Sequence, residues 1–374
     1  MCSESENSRL ISLDAFRGVT IGAMILVNSP GTYRAVYPQL MHAEWNGWSL
    51  ADCVFPFFLF ILGVTSVLSI AKRKAKGGTD LILAIHVLKR SLVLFGLGLF
   101  IAGYPHFYLS TLRIPGVLQR VAVCYLIVSF IVLTTSVRTQ VLLTLSFLAF
   151  YWLIMQFVPV PGVGAGLYEP GRNFAAYIDS LFLKGHMWRP YQPWDPEGIV
   201  STIPAVATTL FGALTGHCLR SSVSAQRKTI IIFFLGLMLV SLGLIFDNWL
   251  PINKNLWTSS FCLFMSGLAM ICLAVFYWLN DYKQFKRWVT PFVILGLNPI
   301  AVYVLSQILD KSLRTIRLVE YNGLNVSLRA YIYRHLYAPF GSPMNTSLLF
   351  AASFVLLIFL VAWIMWKKGW FIKV

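Results

Sequence analysis

Charge is what this chain has least of. Only 12% of its 374 residues are Asp, Glu, Lys or Arg, about half the ~25% of an ordinary soluble domain. That deficit, with a mean hydropathy of +0.71, excludes a water-soluble globule. The six cysteines, at 2, 53, 124, 218, 262 and 272, include no CxxC pair and mostly fall in apolar runs. They read as small core hydrophobes and leave the redox compartment undetermined. The six histidines, at 42, 86, 106, 186, 217 and 335, show neither HxxH nor HExxH spacing, so no metal site is expected. No GxSxG elbow supports a serine nucleophile, and no short alternating segments suggest a β-barrel. The net charge of +16 raises nucleic acid as a partner. No separate basic domain carries that charge, so nucleic-acid binding is not expected.

What the chain does have is apolar blocks of about 20 residues, the length that crosses ~30 Å of hydrocarbon. They predict an all-α polytopic integral membrane protein, one transmembrane domain over residues 1–374 with about ten helices. The spans fall at roughly 13–29, 51–71, 82–103, 115–134, 140–158, 199–219, 229–247, 257–279, 290–309 and 345–366. Residues 1–10 are polar and lack a cleavage pattern, so the first block reads as a true span. Basic residues such as Arg9, Lys72, Arg73, Lys74, Lys76, Arg227, Lys228, Lys286, Arg287 and Lys373 favour one side. By the positive-inside rule the protein is N-in and C-in, surrounded by membrane lipid, with outer segments at about 30–50, 159–198 and 310–344. The glycine-rich "PVPGVGAGLYEPG" follows no strand and reads as turn chemistry rather than a phosphate loop.

Polar residues at the edges of apolar blocks are costly, roughly 2.5–3.5 kcal/mol each, and are therefore candidates for function. Asp14 and Arg17 are spaced to pair on one helical face, as a structural ion pair or as part of a site. "RIPGVLQR" sets Arg113 and Arg120 two helical turns apart with Gln119 beside them, which predicts a shared face with Arg120 inside. A buried arginine needs an anion, supplied either by a protein carboxylate or by a bound phosphate. "HAEWNGWSLAD" gathers His42, Trp45, Asn46 and Asp52 at the head of the second span, with Asn28 at the end of the first. Asp52 is placed to orient the His42 ring and improve its basicity. "WDPEGI", with Asp195 and Glu197, and "PINKNLW", with Asn253, Lys254, Asn255 and Trp257, add amides, carboxylates and an aromatic face. Each alone reads as capping and interfacial anchoring; together on one side they suit a sugar.

The motifs "SLDAFRGVTIGAMILVN", "HAEWNGWSLADCVFPFFLFILG", "RIPGVLQR", "DPEGI" and "PINKNLW", in this order, resemble the heparan-α-glucosaminide N-acetyltransferase family from about residue 9 to the C-terminus. The resemblance implies a transmembrane N-acetyltransferase that moves an acetyl group from cytosolic acetyl-CoA to a terminal glucosamine amine on the outer side. It further implies His42 as the catalytic residue, Asn28 as its neighbour and Asp52 with a less defined role. The extra N-terminal luminal region and first span of the animal lysosomal enzyme look absent, which implies a compact bacterial relative in the inner (plasma) membrane, compatible with a homodimer. Imidazole, with an ordinary pKa of ~6.5, suits deprotonation of an amine near neutral pH. The amide of Asn28 or Asn46 suits the oxyanion. Arg17, Lys89, Arg90, Arg113, Gln119 and Arg120 are the expected acetyl-CoA residues. Trp45, Asn46, Asp195, Glu197, Asn253, Lys254, Asn255 and Trp257 are expected for the amino-sugar or glycan acceptor. A sugar permease of the same fold and an O-acetyltransferase of envelope glycans are the alternatives. Direct transfer and an acetyl-histidine intermediate both require His42.

Overall fold

The computed structural model describes residues 10–319 and 325–372; Cys2, Arg9 and Lys373 lie outside them. Among the described residues, nine helices are long and apolar enough to cross a membrane. They belong to a multi-pass integral membrane protein. In chain order the elements begin with α1 (Ile11–Asn28), α2 (Leu50–Ala75), α3 (Asp80–Gly103), α4 (Val117–Thr134) and α5 (Val137–Phe157). There follow the short α6 (Phe174–Phe182), then α7 (Thr202–Arg220), α8 (Ala225–Phe246) and α9 (Ser259–Tyr277). The chain closes with α10 (Thr290–Leu297), α11 (Pro299–Thr315), the strands β1 (Arg317–Val319) and β2 (Asn325–Ser327), α12 (Leu328–Leu336) and α13 (Pro343–Lys367).

Three expectations need correction. The ninth block is not one straight span: its two halves, broken at Asn298–Pro299, meet at 71°, because Pro299 has no N–H to continue the helix. The outer segment at 310–344 is not a plain loop, since it holds the end of α11, an antiparallel ribbon and α12. Arg113 lies before α4, whose first residue is Val117. Pro115 and Gly116 end the approach to the helix, so Arg113 and Arg120 do not share a helical face.

Helix starts follow side-chain chemistry. Thr79, Ser136, Asn173, Ser224, Thr258 and Ser327 each accept a backbone N–H from the first turn of the helix they precede, satisfying donors that have no partner within the helix. The most buried spans are α2 and α7, whereas α8 turns most of its surface outward, as a lipid-facing helix does. Glycine lets the inner pair touch. A Cβ on Gly63 would sit 1.8 Å from the Thr209 carbonyl oxygen, and one on Gly212 would sit 1.9 Å from that of Phe60. Small residues at such contacts allow backbones to pack directly in an apolar solvent. The head of α2 is thereby held beside the start of α7, and the loops after α1, α3, α5 and α8 close over that same end.

Candidate active site

His42 stands in the loop between α1 and α2, its side chain 45% exposed. Its Nδ1 lies 2.7 Å from Oδ1 of Asp52, a fully buried carboxylate in the first turn of α2. The other oxygen of Asp52 accepts the backbone N–H of Ala43 and of Ser49, both at 3.0 Å, and the Ser49 hydroxyl at 3.1 Å. Ser49 and Asp52 form a capping box at the head of α2, so the chemistry that starts the helix also fixes the carboxylate. An ionised carboxylate only accepts. His42 Nδ1 therefore carries a proton toward Asp52, and in the neutral ring the lone pair is on Nε2.

A third group joins them. Lys254 Nζ lies 3.2 Å from Asp52 Oδ1, and 2.9 and 3.3 Å from the two ring nitrogens of His42. Being close to both nitrogens, it rests against the ring rather than along one lone pair. Burial lowers the Lys254 amine from its ordinary value, and Asp52 and Glu197, in that order, oppose the shift. The turn that presents Lys254 is fixed on both sides. Asn253 is buried, its Oδ1 accepting Leu256 N–H at 2.9 Å and its Nδ2 donating to Asn46 Oδ1 at 3.1 Å. Trp257 closes the turn with φ +51°, a left-handed conformation that costs a bulky residue about 1–3 kcal/mol. Its buried ring holds it there, donating from Nε1 to Thr208 Oγ1 at 3.0 Å and packing edge-on against Phe55 at 5.2 Å.

The remaining residues fall into distinct places. Arg113 grips Asp195 with two hydrogen bonds, at 2.9 and 2.6 Å, and also pairs with Glu197. Its guanidinium is held above its ordinary value, the carboxylates overcoming the effect of burial. Asp195 additionally accepts the N–H of Trp188 and of Glu197. Asp195, expected for the acceptor, is thus already committed within the protein. Both carboxylates are paired with Arg113, whose one positive charge leaves the trio a net negative charge, and Asp195 is 2% exposed. The expectation that Trp257 stacks on a sugar is corrected likewise: it is 1% exposed, and the cation above it at 5.1 Å is Arg120.

Arg120 is buried and donates from Nη2 to Ser201 Oγ and, at 3.2 Å, to the Gly198 carbonyl. Among the described residues its Nε and Nη1, and Nε2 of Gln119, have no hydrogen-bond partner. Gln119 and Arg120 line a cavity of about 130 Å³ with Phe95, Gly116, Glu197 and Thr202. The hollow is largely apolar, with the unpaired donors of Gln119 and Arg120 in its wall. Trp45 donates from Nε1 to the Tyr168 carbonyl at 2.8 Å and meets Trp194 edge-on at 5.0 Å. Trp194 in turn stacks on the exposed ring of Tyr191 at 4.8 Å. The aromatic wall beside the His42 loop is therefore this trio.

Asn255 is partly buried. Asn28 ends α1, its carbonyl accepting Tyr33 Oη–H at 2.9 Å; among the described residues no hydrogen bond links its side chain to His42. Arg17 lies in the second turn of α1, at the end away from His42, and meets Asp14 at 3.2 Å. Lys89 is exposed on α3, whereas Arg90 lies over the Tyr125 ring at 4.7 Å. Sequence reasoning missed Lys254 as a neighbour of His42 and Ser201 as a partner of Arg120. The spacing Ser49-x-x-Asp52 is the local pattern of the capping box that fixes Asp52.

Comparison with known proteins places this geometry in context. The family profile described as heparan-alpha-glucosaminide N-acetyltransferase, catalytic, matches residues 9–252. Heparan-alpha-glucosaminide N-acetyltransferase of Homo sapiens is 33% identical over 360 residues, covering 81% of this chain and 53% of that protein. The Mus musculus protein of the same name is 31% identical over 363 residues, covering 82% and 54%. The chain spans about half the length of these relatives.

Proposed function

The chain belongs to the heparan-alpha-glucosaminide N-acetyltransferase catalytic family, and from that premise we propose that it transfers an acetyl group across the membrane. The donor is acetyl-CoA on the cytosolic face, and the acceptor is the amine of a terminal glucosamine or related amino sugar on the face that carries His42. The observation that carries this reading is the 2.7 Å contact between His42 Nδ1 and the buried Asp52 carboxylate. In the neutral ring that contact leaves the lone pair on Nε2 of a half-exposed side chain, which is what a general base requires.

In the proposed reaction Nε2 takes a proton from the acceptor amine as that nitrogen attacks the thioester carbonyl. The C–N bond forms, the C–S bond breaks, and Nε2 returns the proton to the departing thiolate. Asn253 occupies Oδ1 of Asn46, so the Asn46 amide presents its N–H groups, the kind of donor that suits the developing oxyanion. Asn28 is the second candidate. Gln119 and Arg120 offer the orphaned donors for the thioester arm. Arg17, Lys89 and Arg90 lie toward the cytosolic half of an N-in, C-in molecule and supply positive charge for the donor's phosphates. Trp45 and Tyr191 offer ring faces to the sugar.

The test is transfer of labelled acetyl from acetyl-CoA to glucosamine by purified protein in vesicles, with the product identified chromatographically. N-acetylated sugar that disappears in His42→Ala supports the proposal. An O-acetylated product points to a hydroxyl acceptor, and sugar uptake without any acetylated product points to a permease.

A further inference from the structure

Lys254 brings a cation to a pair of residues that already satisfy each other. Asp52 Oδ1 takes His42 Nδ1 at 2.7 Å and Lys254 Nζ at 3.2 Å on the same oxygen, and Nζ lies within 3.3 Å of both ring nitrogens. The stem of Lys254 is largely buried, its side chain 16% exposed. The turn that aims it is held by buried Asn253 and by Trp257 in a strained conformation. A surface lysine needs none of this support. Strain maintained by packing is a mark of a position the fold over-determines.

We propose that Lys254 is a positioning residue acting through His42: its ammonium shares Asp52 with the imidazole and disfavours a second positive charge on the ring. The charges facing the ring are Asp52 on α2 and Lys254 on the α8–α9 turn, with Glu197, ahead of α7, acting on Lys254. Cys53, next to Asp52, carries a buried thiol. With neutral imidazole, the Asp52 and Lys254 charges cancel; with imidazolium, one positive charge is left over. This inference rests on the reading of His42 as the base and deepens it. A proton taken from the amine is held on Nε2 only beside a like charge, which drives it on to the departing thiolate and returns the ring to its neutral form.

The experiment reads His42 itself, so its outcome is separate from whether acetyl transfer occurs. Of the two forms of imidazole, diethyl pyrocarbonate modifies only the neutral one. The labelling rate of the peptide containing His42 is followed against pH by mass spectrometry in the full-length protein, in wild type and in Lys254→Met, Lys254→Gln and Lys254→Arg. Removing a like charge within ~4–6 Å raises the labelling midpoint by about 1–3 pH units, and Lys254→Arg stays near wild type. Where turnover is measurable, the acid limb of kcat/KM moves upward with the same variants. Coincident midpoints in all four proteins overturn the proposal, as does a shift in Lys254→Arg as large as that in Lys254→Met. A folded Lys254→Gln suffices if Lys254→Met does not fold. Loss of transfer in His42→Ala bears only on the function proposed above.

Discussion

Asn46 and Asn253 are joined by a side-chain hydrogen bond of 3.1 Å, Nδ2 of Asn253 donating to Oδ1 of Asn46. Beside it Gly47 donates its backbone N–H to the Ile252 carbonyl at 2.7 Å. These two bonds stitch the loop carrying His42 to the turn carrying Lys254, so the His42–Asp52–Lys254 cluster depends on two segments far apart in the chain. Asn253→Ala removes the link and also orphans Leu256 N–H. A buried group left unpaired costs about 1–3 kcal/mol. The expected result is a lower melting temperature and a reduced kcat, with the KM of both substrates moving together. A change confined to acceptor KM would instead make Asn253 a sugar contact.

His42→Ala is expected to lower turnover by about 100- to 10,000-fold, the range for loss of a general base. The side chain is half-exposed and bears little packing, so the melting temperature and acetyl-CoA binding stay near wild type. Asp52→Asn lowers turnover too, because an amide favours the opposite tautomer, and it destabilises the head of α2 as well. Near-normal turnover in His42→Ala sinks the proposed mechanism.

Much of this was legible in the sequence, for reasons that differ from residue to residue. The spans were readable because hydrocarbon thickness demands apolar blocks of fixed length. Asp52 was readable because an aspartate ten residues after His42, at the head of the next span, is placed to orient the ring, and Asp14 with Arg17 because they sit one helical turn apart. Arg113 finds its carboxylates 82 and 84 residues away, and His42 meets Lys254 across 212; no local spacing encodes either. Trp257 was misread because a tryptophan at a helix head has the same sequence context in an aromatic belt as in a core. Only packing against Phe55 and Thr208 separates the two.

Arg120→Leu is expected to weaken acetyl-CoA binding more than acceptor binding. The substitution removes the orphaned Nε and Nη1 from the cavity while an apolar side chain keeps its place above Trp257. The Gly198 carbonyl still accepts from the Ser201 and Thr202 hydroxyls, so the melting temperature is expected to fall only modestly. Gln119→Leu acts in the same direction with a smaller effect. Calorimetric titration of acetyl-CoA into each variant checks this; unchanged donor affinity in a folded Arg120→Leu removes the cavity from the donor path.

The last prediction concerns Asp179, which touches neither proposed substrate. It lies buried in α6 and accepts the N–H of Asp195 at 3.1 Å and of Ile199 at 2.9 Å. It thereby holds the turn whose Gly198 carbonyl meets Arg120. That turn requires glycine, because a Cβ on residue 198 would lie 2.1 Å from the carboxylate. Burial raises the Asp179 carboxyl from 3.8 to about 6, the two backbone hydrogen bonds opposing. An acid whose pKa is higher folded than unfolded binds more protons when folded, so its contribution favours folding below the unfolded value. That contribution fades as pH rises through about 6. Wild type should therefore lose stability between about pH 4 and pH 7 relative to Asp179→Asn, which cannot titrate. Melting temperatures of the two proteins across that window check it. The amide of Asn turns an NH2 toward one of the two backbone N–H groups where the protonated acid keeps a hydroxyl oxygen that still accepts, so the variant starts less stable at pH 4 and the gap narrows as pH rises. A gap of constant size would mean that the carboxylate stays ionised and its two backbone hydrogen bonds outweigh its burial.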